Sequence, residues 1–371
     1  MSKTIAVLGA TGTQGGSVVR TFLTLPGWKV RAITRTPSSL AAQNLASSGA
    51  EVVRADLDDP KSLDAAFFGA HAIFAVTDFW QFAQSPKTHE LAAKEGITWN
   101  EAAYRLEAQH GFNIMDAAAR ACAGVTTAEG EGEGDCVLER LVFSSLSGAR
   151  RASKGKYSWV YHFDSKRRVV DYLAEKASGS GPVSGGGGQE DQRQHQQIYK
   201  ALLDRTSYVQ IGWFLDNWSK NPLLMPKKDE TGMYTFKWIG SPSSAPQHFL
   251  PFTHPPTDTG AFVEALVLKA PPGTTMLGVS DLMGYSEFVD RWAAFHGVEA
   301  RLDHLSVEDL DAMMPGGFGI EVAQTSAYVA EFGWDGGEGA VMPESVGVDP
   351  ARLTGVDEYI RTADWKVVFE Q

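Results

Sequence analysis

The sequence predicts an α/β fold, a doubly wound parallel sheet with a smaller mixed α/β C-terminal lobe. Two observations support this fold class. Short apolar runs alternate with helical patterns up to about residue 212, and a glycine-rich turn directly follows the first apolar run. Repeated alternation of strands and helices implies right-handed crossovers between parallel strands.

Each apolar run in this half of the chain predicts a strand and introduces a helix. The runs are TIAVLG, KVRAIT, EVVRAD, HAIFAV and LERLVFSS, and the helices after them are predicted at 14–25, 38–47, 60–68, 98–122 and 161–176. The run TSYVQIG predicts a sixth strand. Thr98, with Glu101 three residues later, matches a capping box at the start of the fourth helix.

Two polar segments interrupt the alternation, at residues 123–136 and 177–197. Both are rich in Gly, Glu, Ser or Gln, and neither can bury enough apolar surface to offset the cost of ordering the chain. We expect both to be surface loops. The glutamines between 192 and 197 leave one boundary open, because they could instead extend the next helix backwards.

Beyond residue 213 the alternation weakens. Strand-like pieces (YTFKWIG, HFLPFTH, MLGVS) lie among helical patterns at 257–269, 285–296, 306–314 and 320–332. We therefore expect a dinucleotide-binding domain at 1–212 and a smaller substrate or partner lobe at 213–371, interleaved with the first and covering the carboxyl edge of the sheet. In open α/β sheets, ligands bind at that edge.

Aromatic residues concentrate at two places in the sequence. The first group is Phe79, Trp80 and Phe82, and the second is Trp213, Phe214 and Trp218. Either group could line a substrate cleft or pack in the core.

Composition excludes several classes of function. The net charge of −12 argues against direct binding to nucleic acid, which basic residues drive, so a regulatory role would act through protein contacts. The two cysteines give no disulfide framework, and the nine histidines are scattered, so we expect no metal site. The first residues form too short an apolar run for a signal peptide, and no stretch approaches the roughly 18 apolar residues of a membrane helix. We expect a cytoplasmic protein, and access to the nucleus is equally consistent with the sequence.

The strongest motif is the loop from Gly9 to Gly15, GATGTQG, between the first strand and the first helix. Gly9 would allow a tight turn, Gly12 would let the backbone approach a pyrophosphate, and Gly15 would permit close packing of the helix. The helix N-terminus favours the anion. This context predicts a Rossmann domain that binds a dinucleotide.

The ends of the next strands indicate which dinucleotide binds. Thr34 and Arg35 follow the second strand, where an NAD-selective protein would place an acidic residue. Arginine suits a 2′-phosphate, so we expect NADP(H) rather than NAD(H). Asp56, at the end of the third strand, could bind the adenine amino group or cap the following helix, and Asp58 or Asp59 could also be the cap.

Polar side chains also end the fourth and fifth strands. Val76 and Thr77 follow the fourth strand, and Ser144, Ser145 and Ser147 lie at the end of the fifth. Both ends face the nicotinamide half of a bound dinucleotide. A serine hydroxyl there could polarise a substrate carbonyl, or it could only satisfy the open end of the strand.

The helix after these serines begins Tyr161-His162-Phe163-Asp164-Ser165-Lys166. His162 and Lys166 are four residues apart and therefore share one helical face. Short-chain dehydrogenases, which this half of the chain resembles, use Tyr and Lys at this spacing, and here histidine replaces the tyrosine. Neutral imidazole can donate or accept a proton, but a structural role for His162 is equally open. Tyr157 and Tyr161 lie nearby at the wrong helical phase.

These motifs together resemble the NmrA-like family of atypical short-chain dehydrogenases. The resemblance rests on GATGTQGGSVVR, ITRTP, GAEVVRADLDD, FAVTDFW, LERLVFSSLSGA, YHFDSKRRVVDYL, FTHPPTDTG and PGGFG. It implies a Rossmann domain with NADP or NAD at the glycine loop, Arg35 near the 2′-phosphate and Lys166 near the ribose. Some members of the family sense the dinucleotide pool and signal to a transcription factor, whereas others are similar to reductases of phenolic or quinone-like compounds.

The sequence therefore leaves three functional hypotheses. The first is an NADP(H)-dependent redox sensor that acts through a protein partner, and the second is an NADPH-dependent reductase of a carbonyl, enone or quinone-like molecule. The third is a non-redox enzyme acting on a hydrophobic metabolite. The predicted catalytic residues are Lys166, His162 and Ser145. The predicted cofactor-binding residues are Gly9, Thr11, Gly12, Thr13, Gln14, Gly15, Thr34, Arg35, Asp56, Leu57, Val76, Thr77 and Lys166.

Overall fold

The computed structural model describes residues 2–124, 136–180, 189–239 and 249–370. In chain order its strands and helices are β1 (Lys3–Val7), α1 (Thr13–Thr24), β2 (Trp28–Thr34), α2 (Leu40–Ser47), β3 (Glu51–Arg54), α3 (Pro60–Phe67), β4 (Ala72–Ala75), α4 (Pro86–Glu95), α5 (Trp99–Cys122), β5 (Arg140–Ser145), α6 (Ala149–Ala152), α7 (Tyr161–Ser178), α8 (Gln189–Leu203), β6 (Thr206–Ile211), β7 (Trp213–Phe214), α9 (Asn217–Lys220), β8 (Lys227–Lys228), β9 (Tyr234–Ile239), β10 (Leu250–Thr253), α10 (Pro255–Leu268), β11 (Thr275–Gly278), β12 (Asp281–Met283), α11 (Tyr285–His296), β13 (Ala300–Leu305), α12 (Val307–Met313), α13 (Phe318–Phe332), α14 (Val356–Thr362) and α15 (Lys366–Phe369).

The largest sheet has seven strands in the order β11-β6-β5-β4-β1-β2-β3, and all of its pairings are parallel. The direction of winding reverses between β1 and β4, because β2 follows β1 on one side and β4 lies on the other. A crevice opens at the carboxyl ends of the strands at such a point. The predicted doubly wound α/β fold is confirmed.

Helices cover both faces of this sheet because its strands are apolar on both sides. On one face, α3, α5, α7 and α8 bury side chains such as Phe67, Ile114 and Leu173. On the other face, α1 and α10 bury Phe22 and Phe262 against the strands. Burial of each such side chain contributes about 1.5–3 kcal/mol of transfer free energy.

Two three-stranded sheets follow, in the orders β12-β10-β7 and β13-β9-β8. They share an aromatic core with α11, α13 and α14, in which Trp292, Tyr328 and Phe236 are fully buried. The predicted mixed α/β lobe is therefore present, with the helices at 285–296 and 318–332 close to their predicted bounds.

One strand expected in the smaller lobe lies in the large sheet instead. The MLGVS segment forms β11, which pairs with β6 and adds a seventh strand. Met276 of β11 is wholly buried in the core between the sheet and α10, and this burial explains the placement. The residues beyond 212 thus contribute both a strand and a covering helix to the large sheet.

The range 177–197, expected to be a surface loop, is instead helical at both ends, and the alternative that the glutamines extend the next helix is confirmed. Helix α7 continues to Ser178, and α8 begins at Gln189, so the glutamines from 192 to 197 are helical. Gln, Glu, Arg and Lys are good helix formers, and α8 buries Tyr199 and Leu202. Residues 181–188, and residues 125–135 of the other polar segment, lie outside the described part of the chain.

Helix α4 is an element that we did not predict. Its sequence carries ordinary end signals, because Ser85 stands at the N-cap, Pro86 is the first helical residue and Gly96 ends the helix in the left-handed conformation. Thr98 then starts α5, its side chain accepting a hydrogen bond from the backbone N–H of Glu101, as the sequence predicts.

Within the described residues, no helix is both long enough and apolar enough to cross a membrane. Cys122 and Cys136 are free thiols, and their sulfur atoms lie 3.9 Å apart.

The contact between α1 and α10 gives a prediction about stability. A Cβ atom at Gly260 would lie 2.0 Å from Thr21 Oγ1 and 2.7 Å from the Ser17 carbonyl oxygen. We expect Gly260→Ala to lower the free energy of unfolding in urea by about 1–3 kcal/mol. Gly16→Ala, in the same helix pair, is the control, because its Cβ would meet no atom closer than 3.4 Å. Equal stability of the two variants would contradict the close helix contact.

Candidate functional site

A cleft of about 820 Å³ opens at the carboxyl edge of the large sheet. The structure brings the predicted residues together there, since all of the following line the cleft: Gly9, Thr11, Gly12, Thr13, Gln14, Gly15, Thr34, Arg35, Asp56, Leu57, Val76, Thr77, Ser144, Ser145, His162 and Lys166. They come from the ends of β1 to β5 and the first turn of α7, which the chain topology places side by side.

The glycine loop leaves the start of α1 open to the cleft. Gly9 has φ +62°, in the left-handed region that favours glycine, and a Cβ at Gly15 would lie 2.3 Å from the Gly9 carbonyl oxygen. Gly12 is the N-cap and provides no side-chain acceptor, and the first turn of α1 has no acidic residue. The first backbone N–H groups of α1 are thus available to an anion.

Arg35 lines the cleft just beyond the carboxyl end of β2. It follows β2 directly, is exposed, and donates one hydrogen bond, from Nη1 to Gln81 Oε1 at 3.3 Å. A single contact of this length to a neutral amide leaves the guanidinium free to accept an anionic ligand.

Asp56 does not cap the helix that follows it. Its Oδ1 accepts the backbone N–H of Asp58 at 3.1 Å, and Asp59 occupies the N-cap of α3 without a side-chain hydrogen bond. The carboxylate of Asp58 binds Lys87 Nζ at 2.6 Å and His110 Nε2 at 3.0 Å. Of the two roles considered for Asp56, contact with an adenine ring therefore remains as a prediction.

The two serines at the end of β5, Ser144 and Ser145, differ from Ser147 in whether their hydroxyl groups are already hydrogen-bonded. Ser144 and Ser145 line the cleft and have no side-chain hydrogen bond to another described residue. Ser147 is fully buried, with its Oγ 2.9 Å from Tyr328 Oη and donating to the Trp334 carbonyl oxygen at 2.7 Å. The hydroxyls of Ser144 and Ser145 are thus the ones available to a ligand.

Lys166 is held by a carboxylate that the sequence analysis did not single out. Its Nζ contacts Glu107 Oε1 of α5 and donates to the Thr77 carbonyl oxygen at 3.0 Å. Glu107 is wholly buried, and it also accepts hydrogen bonds from Thr77 Oγ1, at 2.7 Å, and from Ser165 Oγ. Because a buried carboxylate requires a cation and hydrogen bonds, this network fixes the ammonium group beside the end of β4.

His162 is held by a second buried carboxyl group, that of Glu321 in α13. Glu321 Oε1 lies 2.8 Å from both His162 Nδ1 and the His162 backbone nitrogen. The imidazole is 14% exposed and packs against the rings of Phe79, Trp80 and Phe163. Desolvation, and secondarily the positive charge of Lys166, lower the pKa of His162 to about 3, so the ring is neutral near pH 7.

Tyrosine does not take the place of His162. No tyrosine is among the described residues that line the cleft. Tyr157 donates to Glu331 at 2.7 Å, and the Tyr161 ring packs against Tyr104 and Trp159. His162 therefore lines the cleft four residues before Lys166, at the spacing at which short-chain dehydrogenases carry a tyrosine.

The aromatic groups divide between the cleft and the core. Phe79, Trp80, Trp213 and Phe214 line the cleft, with Trp80 43% exposed at its surface. Phe82 and Trp218 are buried and belong to the core. Met314, Val322 and Trp334 also line the cleft, and together with the four aromatic residues that line it they form the apolar part of its wall, called here the aromatic chamber.

Glu107 and Glu321 are the residues that sequence reasoning missed, although a signal was present. Glu107 lies on the helical stripe of Ala103, Gly111 and Ile114, all on one face of α5. Glu321 lies likewise on the stripe of Phe318, Thr325 and Tyr328 in α13. A carboxylate within an otherwise small or apolar stripe indicates a buried, paired group.

The buried pair of Glu107 and Lys166 gives a testable energetic prediction. Lys166→Met leaves Glu107 buried without its cation, and we expect a loss of about 3–5 kcal/mol in unfolding free energy. The double variant Lys166→Met/Glu107→Gln should recover most of that loss, because no unpaired charge remains. A double-mutant cycle by urea denaturation measures the coupling. Additive losses would show that the two groups are not paired.

Comparisons with known proteins give relatives over most of the chain. An oxidoreductase with an NmrA-like family domain, FrzB of Cladobotryum sp, is 28% identical over 314 residues, which cover 82% of this chain and 76% of FrzB. NmrA, a negative transcriptional regulator solved in complex with NAD, superposes with a TM-score of 0.64 at 16% identity, covering 100% of this chain and 97% of NmrA.

An NADPH-dependent quinone oxidoreductase of Escherichia coli, solved with NADPH, superposes with a TM-score of 0.60 at 18% identity. That match covers 97% of this chain and 99% of the reductase. These structures share the fold, and the sequence model of the NmrA-like family matches residues 1–180. Residues 1–180 of this chain therefore match the NmrA-like family, and this match confirms the resemblance carried by their motifs.

Proposed function

We propose that this protein is an NADP(H)-dependent reductase of a carbonyl, enone or quinone-like small molecule. The observation that supports this proposal is that one cleft contains the glycine loop, the hydroxyls of Ser144 and Ser145, His162 and the aromatic chamber. A protein that only bound a dinucleotide would need no such apolar space beyond the nicotinamide end.

The loop and Arg35 favour a phosphorylated dinucleotide. The open first turn of α1 suits the pyrophosphate, while Gly15 is in contact with the Gly9 backbone and leaves no room for a side chain. Arg35 supplies the positive charge that a 2′-phosphate requires, at the position where an acidic residue would select NAD. The neighbours solved with NAD, NADP or NADPH support a nicotinamide dinucleotide, and Arg35 is the reason to propose the phosphorylated form.

The polar groups at the ends of β4 and β5 and at the start of α7 can bind the substrate, orient the nicotinamide ribose and transfer a proton. When bound, reduced nicotinamide supplies a hydride to the substrate. Ser144 and Ser145 can hold the substrate oxygen, and Lys166, fixed by Glu107, can orient the nicotinamide ribose. His162 presents its free nitrogen edge to the cleft, next to Trp80, where it can exchange a proton with that oxygen.

The second candidate is a redox sensor that signals through a protein partner. It is favoured by His162 in place of the usual tyrosine and by the likeness of the fold to a transcriptional regulator. The two candidates differ in turnover, because a sensor needs only binding, whereas a reductase must consume NADPH.

The cofactor assignment is tested by calorimetric titration with NADP, NADPH, NAD and NADH in one buffer. We expect the phosphorylated forms to bind more tightly, and Arg35→Ala to weaken their binding by about 10–100-fold, the value of one to two charge-assisted contacts. NAD and NADH should change little. Arg361→Ala, an exposed residue of α14, is the control. If the variant leaves the preference for phosphorylated forms intact, Arg35 does not recognise the 2′-phosphate.

The reductase assignment is tested by NADPH oxidation in the presence of a simple 1,4-naphthoquinone. We expect turnover in the wild type and a loss of at least about 100-fold in the double variant Lys166→Met/Glu107→Gln, which lacks the ammonium group but has no unpaired buried charge. Lys176→Met, on the same helix, should retain full activity. Binding of NADPH without any turnover across carbonyl, enone and quinone probes would favour the sensor.

A further inference from the structure

The PGGFG motif at residues 315–319 brings the C-terminal half of the chain to the cleft. Gly316 and Gly317 have φ of +80° and +93°, and Cβ atoms there would lie 2.3 Å from the Trp99 ring and 2.5 Å from Asn100 Oδ1. The Asn100 backbone N–H donates to the Gly316 carbonyl oxygen, and its Nδ2 donates to that of Gly317, both at 3.2 Å. Only glycines allow this turn to dock on the start of α5.

The docked turn places Glu321 at the start of α7. Its Oε1 accepts the His162 backbone N–H and contacts His162 Nδ1, while Oε2 accepts a hydrogen bond from Asn100 Nδ2 at 3.2 Å. The side chain of Glu321 is wholly buried. Glu321 occupies the Nδ1 edge of the ring and is not among the residues that line the cleft, so the Nε2 edge of His162 remains for a ligand.

Glu321 differs from Glu107 in its partners. Glu107 is paired with the cation of Lys166, whereas the hydrogen-bond partners of Glu321 among the described residues are neutral groups of His162 and Asn100. Burial raises the pKa of Glu321 well above its ordinary value, and the negative charge of Glu107 adds to this effect. Both effects favour the protonated carboxyl group, and at 2.8 Å a protonated Glu321 can donate a hydrogen bond to Nδ1 of the neutral imidazole.

On this basis, and given the proposed reductase function, we propose that Glu321 stores the proton that His162 delivers to the substrate oxygen. When reduction of the substrate places negative charge on its carbonyl oxygen, the Nε2 proton of His162 would pass to that oxygen. The carboxyl proton of Glu321 passes to Nδ1 at the same time, so the ring stays neutral. The new carboxylate accepts the N–H groups of His162 and Asn100, and water returns the proton through the same path.

This relay explains how a neutral His162 can act as an acid. With a pKa of about 3, His162 cannot hold a second proton at neutral pH, and a neutral imidazole without a proton source behind it is a very weak acid. Glu321 does not touch the substrate and acts only through His162. The charged groups around the ring are Lys166 and Asp164 on α7 and Glu107 on α5, with Asp164 bound to the Arg150 backbone N–H at 3.1 Å.

The kinetic test uses Glu321→Gln, whose amide can still donate to Nδ1 but has no proton to release. We expect kcat with the naphthoquinone to fall about 10–100-fold, with KM and NADPH affinity nearly unchanged. The wild-type kcat should fall as pH rises, because Glu321 loses its stored proton, and this alkaline limb should vanish in the variant. Glu331→Gln, on the exposed end of the same helix, is the control. An identical pH profile in the wild type and Glu321→Gln would overturn the relay.

A second measurement does not depend on turnover. In protein labelled with ¹⁵N-histidine, the His162 signal, assigned by its loss in His162→Phe, should show a proton bonded to Nε2 and none bonded to Nδ1. A proton on Nδ1 would mean that Glu321 is ionised, and the relay would be wrong even if the reductase is right. If no probe is reduced but the Nε2–H form is found, the proposed function fails while the hydrogen bond from Glu321 to His162 stands.

Discussion

The burial of two carboxyl groups beneath the cleft is the constraint on which the site depends. Glu107 and Glu321 have no exposed surface, so each must be satisfied by groups of the protein itself. Desolvation of a carboxylate costs several kcal/mol unless hydrogen bonds and a cation offset it. Lys166 and His162 are therefore held in place before any ligand arrives, and such preorganisation is what a catalytic or ligand-orienting group requires.

The two networks come from different parts of the chain and meet on α5. Glu107 in the middle of this helix fixes Lys166, and Asn100 at its start holds both Glu321 and the glycine turn before α13. A regulator and a quinone reductase share this fold, so the fold alone does not decide function. The side chains around His162 and Lys166 are where the two possibilities differ.

The sequence predicts those features that depend on local pattern. The glycine loop, the alternation of strands and helices, the cap at Thr98 and the spacing of His162 and Lys166 are each readable within a few residues. Features that depend on tertiary contacts escape this kind of prediction. The strand at 275–278 resembles any short apolar run, and α8 is polar along most of its length, so only their packing identifies their place in the fold.

In the candidate site, too, the features set by local sequence could be predicted and those set by tertiary contacts could not. Because parallel strands end at the same edge of a sheet, the sequence could place the residues after β1 to β5 side by side, and in the structure these residues line one cleft. Glu107 and Glu321 could not be assigned partners from the sequence, because Lys166 lies 59 residues from Glu107 and His162 lies 159 residues from Glu321. Their spacing within apolar stripes marks them as buried, but only the three-dimensional contacts with Lys166 and His162 indicate what they do.

The position of β11 has a consequence for the order in which the chain can fold during synthesis. The outer edge of β6 stays unpaired until residues 275–278 have left the ribosome, and α1 has no packing partner in α10 until residues 255–268 have been made. Contacts so distant in sequence slow folding and expose a strand edge to association in the meantime. The first 212 residues therefore emerge as an incomplete sheet, and the nascent chain depends on its second half for closure.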